Sequence, residues 1–105
     1  MPASQSAHGF AWNRLQFALL RECLALVEDG VADAATVDLV VERGLAPRWV
    51  DAGPLAIADR GGAATFARIA AALLPTLSAT PAVSPLLQAA GHDGRLLRPD
   101  SDEGR

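Results

Sequence analysis

Apolar residues recur between positions 9 and 30 at a spacing that predicts one long helix. At about 100° per residue, Trp12, Leu15, Leu19, Cys23 and Leu26 share one side. Phe17, Leu20, Leu24 and Val27 widen the apolar surface well past an ordinary amphipathic stripe, and only Arg14, Arg21 and Glu28, seven apart, make a clear polar line. A helix that is apolar over most of its girth has to be covered on two sides. Periodicity leaves two ways open: cover by the chain's own remaining helices, or cover shared with a second copy across a symmetric contact.

The rest of the chain reads as shorter helices. Residues 1–8 form a flexible lead-in, and Gly30 ends the first helix. Asp33 stands where an N-cap belongs, ahead of Val37, Leu39, Val40 and Val41, and that helix stops at Gly44. Residues 45–52, with Pro47, Arg48 and Trp49, read as an ordered loop with Trp49 plugging the core. A third helix starts at Gly53-Pro54 with proline in its first turn and breaks at Gly61-Gly62. Phe66, Ile69, Ala70, Leu73 and Leu77 then return at helical spacing, with Pro75 ending or kinking the run. Ser78-Ala79-Thr80-Pro81 makes a turn, and Ser84-Pro85 opens a last helix that closes at Gly91. The expected fold is all-α, a bundle of about five helices over residues 9–94 organised around the first, with residues 95–105 a mobile tail.

Composition sharpens this picture. The 105 residues are half apolar, dominated by alanine and leucine, and contain no tyrosine, which favours helix over strand. A net charge of −3 with its basic residues, all arginine, scattered along the chain argues against a nucleic-acid partner, because phosphate neutralisation needs a concentrated basic face. No apolar run approaches the roughly 20 residues that span a bilayer, and the first residues lack the pattern of a secretory signal. The expectation is a soluble cytoplasmic protein with no membrane partner. The single cysteine, Cys23, excludes an internal disulfide and reads as a packing residue rather than a nucleophile.

Candidate chemistry is sparse. Asn13 and Gln16 interrupt the apolar surface of the first helix, and a buried amide without partners costs roughly 1–3 kcal/mol. Each is therefore either tied to neighbouring backbone or kept free for a ligand. His8 and His92 fall in loops at opposite ends of the chain, with no Cys, Asp or Glu at ligand spacing, so no metal site is expected. Asp38, Glu42 and Arg43 read as a solvated face. No Gly-x-Gly-x-x-Gly or P-loop occurs, and Gly61-Gly62 alone does not make a phosphate cradle.

A family resemblance takes over where spacing stops. Gly9-Phe10, Asn13-Arg14-Leu15-Gln16, Arg21-Glu22 and Leu26-Val27-Glu28-Asp29-Gly30-Val31-Ala32 follow in the order and spacing of the C-terminal domain of 3-hydroxyacyl-CoA dehydrogenases. So do Val37-Asp38, Gly44-Leu45-Ala46-Pro47-Arg48-Trp49, Gly53-Pro54 and Ala58-Asp59, so that the resemblance covers about residues 9 to 91. Arg48-Trp49 ahead of Gly53-Pro54 also resembles the L-gulonate 3-dehydrogenase and carnitine dehydrogenase branches. One segment departs from the pattern, and one catalytic residue has no counterpart. The family's closing Lys-x-Gly-x-Gly-Phe-Tyr is replaced by Gly94-Arg95-Leu96-Leu97-Arg98-Pro99, and neither histidine matches the catalytic one.

The resemblance implies a helical domain like the C-terminal part of 6-phosphogluconate dehydrogenase, which follows a Rossmann NAD domain and forms a homodimer. It implies that Asn13 is the active-site asparagine that orients substrate. It also implies that NAD and the catalytic His-Glu pair belong to a separate NAD-binding domain, so that this chain alone binds no cofactor and is inactive. The expected reaction is reversible oxidation of the 3-hydroxyl of an acyl-CoA, in fatty acid metabolism. The competing expectation is a stand-alone, non-catalytic homodimeric interaction module that keeps the fold.

Overall fold

The computed structural model describes residues 3–97, with side chains from residue 7 onward, and its described residues are helical without a strand. Helix α1 spans Ala3–Glu28, 26 residues or about 39 Å of rod. It stops in a Schellman arrangement: Val31 N–H donates to the Leu26 carbonyl at 3.0 Å and Gly30 N–H to the Val27 carbonyl at 3.1 Å. Gly30 takes φ +74° there, which a β-carbon would disfavour. Residues 3–8, expected as a lead-in, continue the helix, because nothing between Ala3 and Phe10 breaks it. His8 is accordingly helical rather than in a loop.

Asp33 caps α2 (Ala34–Leu39) as the sequence predicts, its carboxylate accepting from the Thr36 amide at 2.8 Å. The chain then widens into a π-helical segment, Val40–Leu45, in which Ala46 N–H reaches the Val41 carbonyl at 2.8 Å. Residues expected as a loop hold the one-turn helix α3 (Arg48–Asp51). Trp49 rides on that turn, and 37% of it is exposed, so it does not plug the core. Helix α4 (Pro54–Gly61) starts on proline and α5 spans Ala63–Leu73, the two meeting at Gly62 with φ +97°. Pro75 closes α5 into a short 3-10 turn, Leu74–Thr76.

Helix α6 spans Pro85–Asp93, with the Ser84 hydroxyl accepting from the Leu86 amide. It passes through Gly91, the expected end, because a helix tolerates an interior glycine at a cost of about 1 kcal/mol. The left-handed stop is supplied instead by Gly94, φ +100°. His92 therefore lies in the last turn of α6 and not in a loop. The tail expected to be mobile lies, from Arg98 on, outside the described residues.

Packing is concentrated at one end. The C-terminal half of α1 packs along α2 and α6, whereas α4 and α5 pack on each other as an arm reached through α3. Among the described residues the buried hydrophobic side chains are Leu24, Ala35, Val37 and Ala52. The Cα radius of gyration is 16.2 Å, where a compact chain of this length would have about 13 Å. The accessible surface is 8174 Å², against about 5600 Å² for a compact monomer of this mass. The fold is an open one with large unpaired apolar faces.

Candidate functional site

The free half of α1 carries the candidate residues. From Ala7 to Ala18 every side chain is exposed, whereas Leu24 further along the same rod is buried. Helical phase separates two faces. Phe10, Asn13 and Phe17 stand at i, i+3 and i+7 on one line. Trp12, Leu15, Leu19 and Leu26 form another, about 130–160° away round the axis. The side chain of Asn13 is exposed and has no hydrogen-bond partner among the described residues, as is true of Gln16. Both amides face solvent, so neither is the buried amide that the sequence pattern suggested. Beside Asn13, the guanidinium of Arg14 lies 6.0 Å from the centre of the Phe10 ring, a cation-π contact.

A groove of about 510 Å³ starts at the foot of the Asn13 face, where Arg14 and Phe17 form its mouth, and runs between α1 and the segment Ser78–Ser84. Asn13 itself is not among the groove's lining residues. Three hydrogen bonds hold this strap, residues 78–84, along α1. Ser78 N–H donates to Glu22 Oε2 at 3.0 Å, Arg21 donates to the Thr80 carbonyl at 3.2 Å, and the Ser84 hydroxyl donates to Glu28. The strap is kept compact by its own hydroxyls: Thr80 N–H donates to Ser78 Oγ and Ala82 N–H to Thr80 Oγ1. The polar line of α1 visible in the sequence is therefore the seat of residues 78–84. Sequence reasoning placed Arg21 and Glu28 on it and missed their partners, and it gave Glu22 no role.

A second cleft, about 690 Å³, lies between α1, α2 and α6, with Cys23, Val27 and Leu86 on its apolar wall and Asp38, Asp93 and Arg95 around it. Cys23 is half-buried, as a packing residue, and its thiol pKa is raised by burial first and then by the carboxylates of Asp38 and Glu22. A thiol held in its protonated form is a poor nucleophile. Asp38, Glu42 and Arg43 are exposed, in line with a solvated face. His8 and His92 sit on separate helices. No group of three His, Cys, Asp or Glu side chains capable of holding a metal occurs among the described residues. None of the helices described is long and apolar enough to cross a membrane.

Comparison with known proteins places this arrangement. The sequence profile of the 3-hydroxyacyl-CoA dehydrogenase C-terminal domain matches residues 9–104. The 5-formyl-3-hydroxy-2-methylpyridine 4-carboxylate 5-dehydrogenase of Mesorhizobium japonicum is 35% identical over 79 residues, 75% of this chain and 26% of that protein. The lambda-crystallin homolog of Homo sapiens is 40% identical over 55 residues, 52% of this chain and 17% of its own length. The L-carnitine dehydrogenase of Streptomyces griseus is 39% identical over 71 residues, 67% and 21% respectively. A crystal structure of the same pyridine-carboxylic acid 5-dehydrogenase, described as an NAD+-dependent dismutase, superposes with a TM-score of 0.77 at 32% identity, covering 83% of this chain and 28% of that one.

This chain thus spans about a quarter or less of the length of these relatives. The matched residues include the whole of the exposed α1 face from Gly9, the strap and α6. The chain belongs to the 3-hydroxyacyl-CoA dehydrogenase family, of which it carries the helical C-terminal domain.

Proposed function

We propose that this chain is the dimerising, substrate-side domain of an NAD-dependent 3-hydroxyacyl-CoA dehydrogenase-type oxidoreductase, and that it turns over only together with a Rossmann NAD domain. The observation that carries the reading is the bare half of α1, with Asn13 on one face and an apolar stripe on the opposite one. Two exposed faces on one rod call for two partners. The stripe of Trp12 and Leu15 suits a second copy of the chain. The Asn13 face, bordered by Phe10, Phe17 and the Arg14 guanidinium, suits the substrate and the NAD domain over it.

In this reading the carboxamide of Asn13 donates to or accepts from the substrate's oxygen and holds the carbinol carbon in line for transfer. NAD, bound by the partner domain, supplies the hydride acceptor. The hydroxyl proton passes to a base of that domain, so that the alcohol becomes a ketone and loses two electrons. Arg14 offers a positive charge beside the site, which fits an anionic substrate. A carboxylated hydroxy compound such as the relatives' names indicate satisfies that chemistry, as does the phosphate-bearing tail of an acyl-CoA.

The test is complementation. The chain is mixed with a separately produced NAD domain of the family and NADH formation is followed with 3-hydroxyacyl-CoA, carnitine and pyridine-carboxylate substrates. Turnover with one of these, lost in Asn13→Ala, is the expected outcome. No turnover with any of them, or undiminished turnover in the variant, overturns the assignment and leaves a non-catalytic homodimeric module as the reading.

A further inference from the structure

The cleft of about 690 Å³ between α1, α2 and α6 is larger than the strap groove and is built differently. Its wall is aliphatic, with Leu20 and Val27 of α1, Val37 of α2 and Leu86 of α6 lining it. From Leu20 to Val27 the α1 side of that wall runs about 10 Å. The charge sits at the rim. Asp38 near the end of α2 and Asp93 at the end of α6 both border the cleft. Among the described residues neither carboxylate makes an ion pair or a side-chain hydrogen bond, and Arg95, the one cation on the lining, is not paired with them. Helix α6 adds to the negative side, because Asp93 closes it and the last carbonyls of a helix carry partial negative charge. The field reaches the inner wall: the Cys23 thiol, which also lines the cleft, is kept protonated by burial first and then by the carboxylates of Asp38 and Glu22.

An aliphatic wall under unpaired carboxylates discriminates among apolar ligands by the sign of their charge. An anion would be repelled by Asp38 and Asp93, and a neutral hydrocarbon would gain nothing from them. An organic cation gains from each carboxylate while its apolar part takes Leu20, Val27, Val37 and Leu86 out of water. We propose that this cleft binds an alkylamine: the ammonium is held at the rim by Asp38 and Asp93, and the aliphatic body lies along the wall from Leu20 to Val27. Cys23, on the inner wall, is about 15 Å further along α1 than Asn13, and the proposal stands or falls without the reaction proposed above.

Octylamine, octanoate and octanol carry one and the same chain under a positive, a negative and a neutral head at pH 7. Each is titrated into the full chain by calorimetry, below the concentration at which it forms micelles. Octylamine is expected to saturate one site per chain, to bind about tenfold more tightly than octanoate, and to slow the labelling of Cys23 by iodoacetamide. Asp38→Asn and Asp93→Asn are each expected to weaken octylamine by about threefold and to leave octanol unchanged. Asp59→Asn, at an exposed carboxylate of α4, changes the net charge equally and is expected to have no effect. Octanoate binding as tightly as octylamine, equal weakening by all three substitutions, or saturation with octylamine that leaves Cys23 labelling unchanged overturns the proposal. Absence of octylamine binding overturns it as well.

Discussion

The Ser78 amide donates to Glu22 Oε2 at 3.0 Å, tying residues 56 apart in the chain. Six residues further along both segments the Ser84 hydroxyl donates to Glu28. The register fixes the strap along α1 while α1 climbs only about 9 Å, and this slack is taken up by the hydroxyl-closed turns at Ser78 and Thr80. Glu22→Ala removes the acceptor of a partly buried amide, which costs about 1 kcal/mol and lowers the melting temperature by about 4–8 °C in a domain of this size. Hydrogen exchange checks the mechanism: the amides of residues 78–82 lose protection while those of α2 keep theirs. Uniform loss in both would contradict it.

Gly62 joins α4 to α5 at φ +97°, and a β-carbon there meets only Thr65 Oγ1 at 3.7 Å. The cost of Gly62→Ala is therefore conformational, about 1–2 kcal/mol from the left-handed backbone. Gly44 is the control, since it lies in the π-helical segment with nothing within 4 Å of its would-be β-carbon. Gly44→Ala is expected to be neutral or to stabilise by roughly 0.5–1 kcal/mol. Urea unfolding of both variants reads the contrast, and equal effects of the same sign would refute it.

The raised pKa of Cys23 has a pH consequence. The folded domain keeps the thiol protonated above its ordinary value of 9.0, whereas the unfolded chain releases the proton. The associated stability is fully present below pH 9.0 and is lost as pH climbs through the folded value. Chemical denaturation between pH 8 and pH 10 should show the midpoint falling in the parent and falling less in Cys23→Ala. Iodoacetamide should also label Cys23 more slowly at pH 8 in the folded state than in urea.

Asn13 is exposed and without a side-chain partner among the described residues, so the fold does not depend on it. Asn13→Ala is expected to leave the unfolding free energy within about 0.5 kcal/mol of the parent. A loss of turnover in the complemented system with unchanged stability would then be a property of the site. A large destabilisation would mark the residue as structural instead.

The legible parts of the fold were those encoded within a few residues. Asp33 three positions before Thr36, proline at 54 and 85, and the glycine pair at 61–62 announce caps and breaks through local chemistry, and each is where the sequence puts it. The α6 terminus was misplaced because Gly91 and Gly94 carry the same local signal, and only the backbone shows which one turns left-handed. Trp49 was expected inside, but on the one-turn helix α3 it is 37% exposed, and it is Ala52, at the end of that turn, that is buried. The strap contacts of Glu22, Arg21 and Glu28 were beyond reach, because their partners lie 56 to 59 residues away and a solvated polar line looks the same in sequence. Asn13 was read as an amide interrupting a covered apolar surface, whereas it is exposed. The substrate role proposed for it rests on the family motif around it.

The central claim is that the bare half of α1 is covered by a second copy of this chain. Molar mass in solution by light scattering, taken across a dilution series, addresses it most directly. The account predicts twice the 10.9 kDa of one chain, held on dilution and reduced to one chain's mass by Leu15→Arg. A mass of one chain for the parent at every concentration would contradict it.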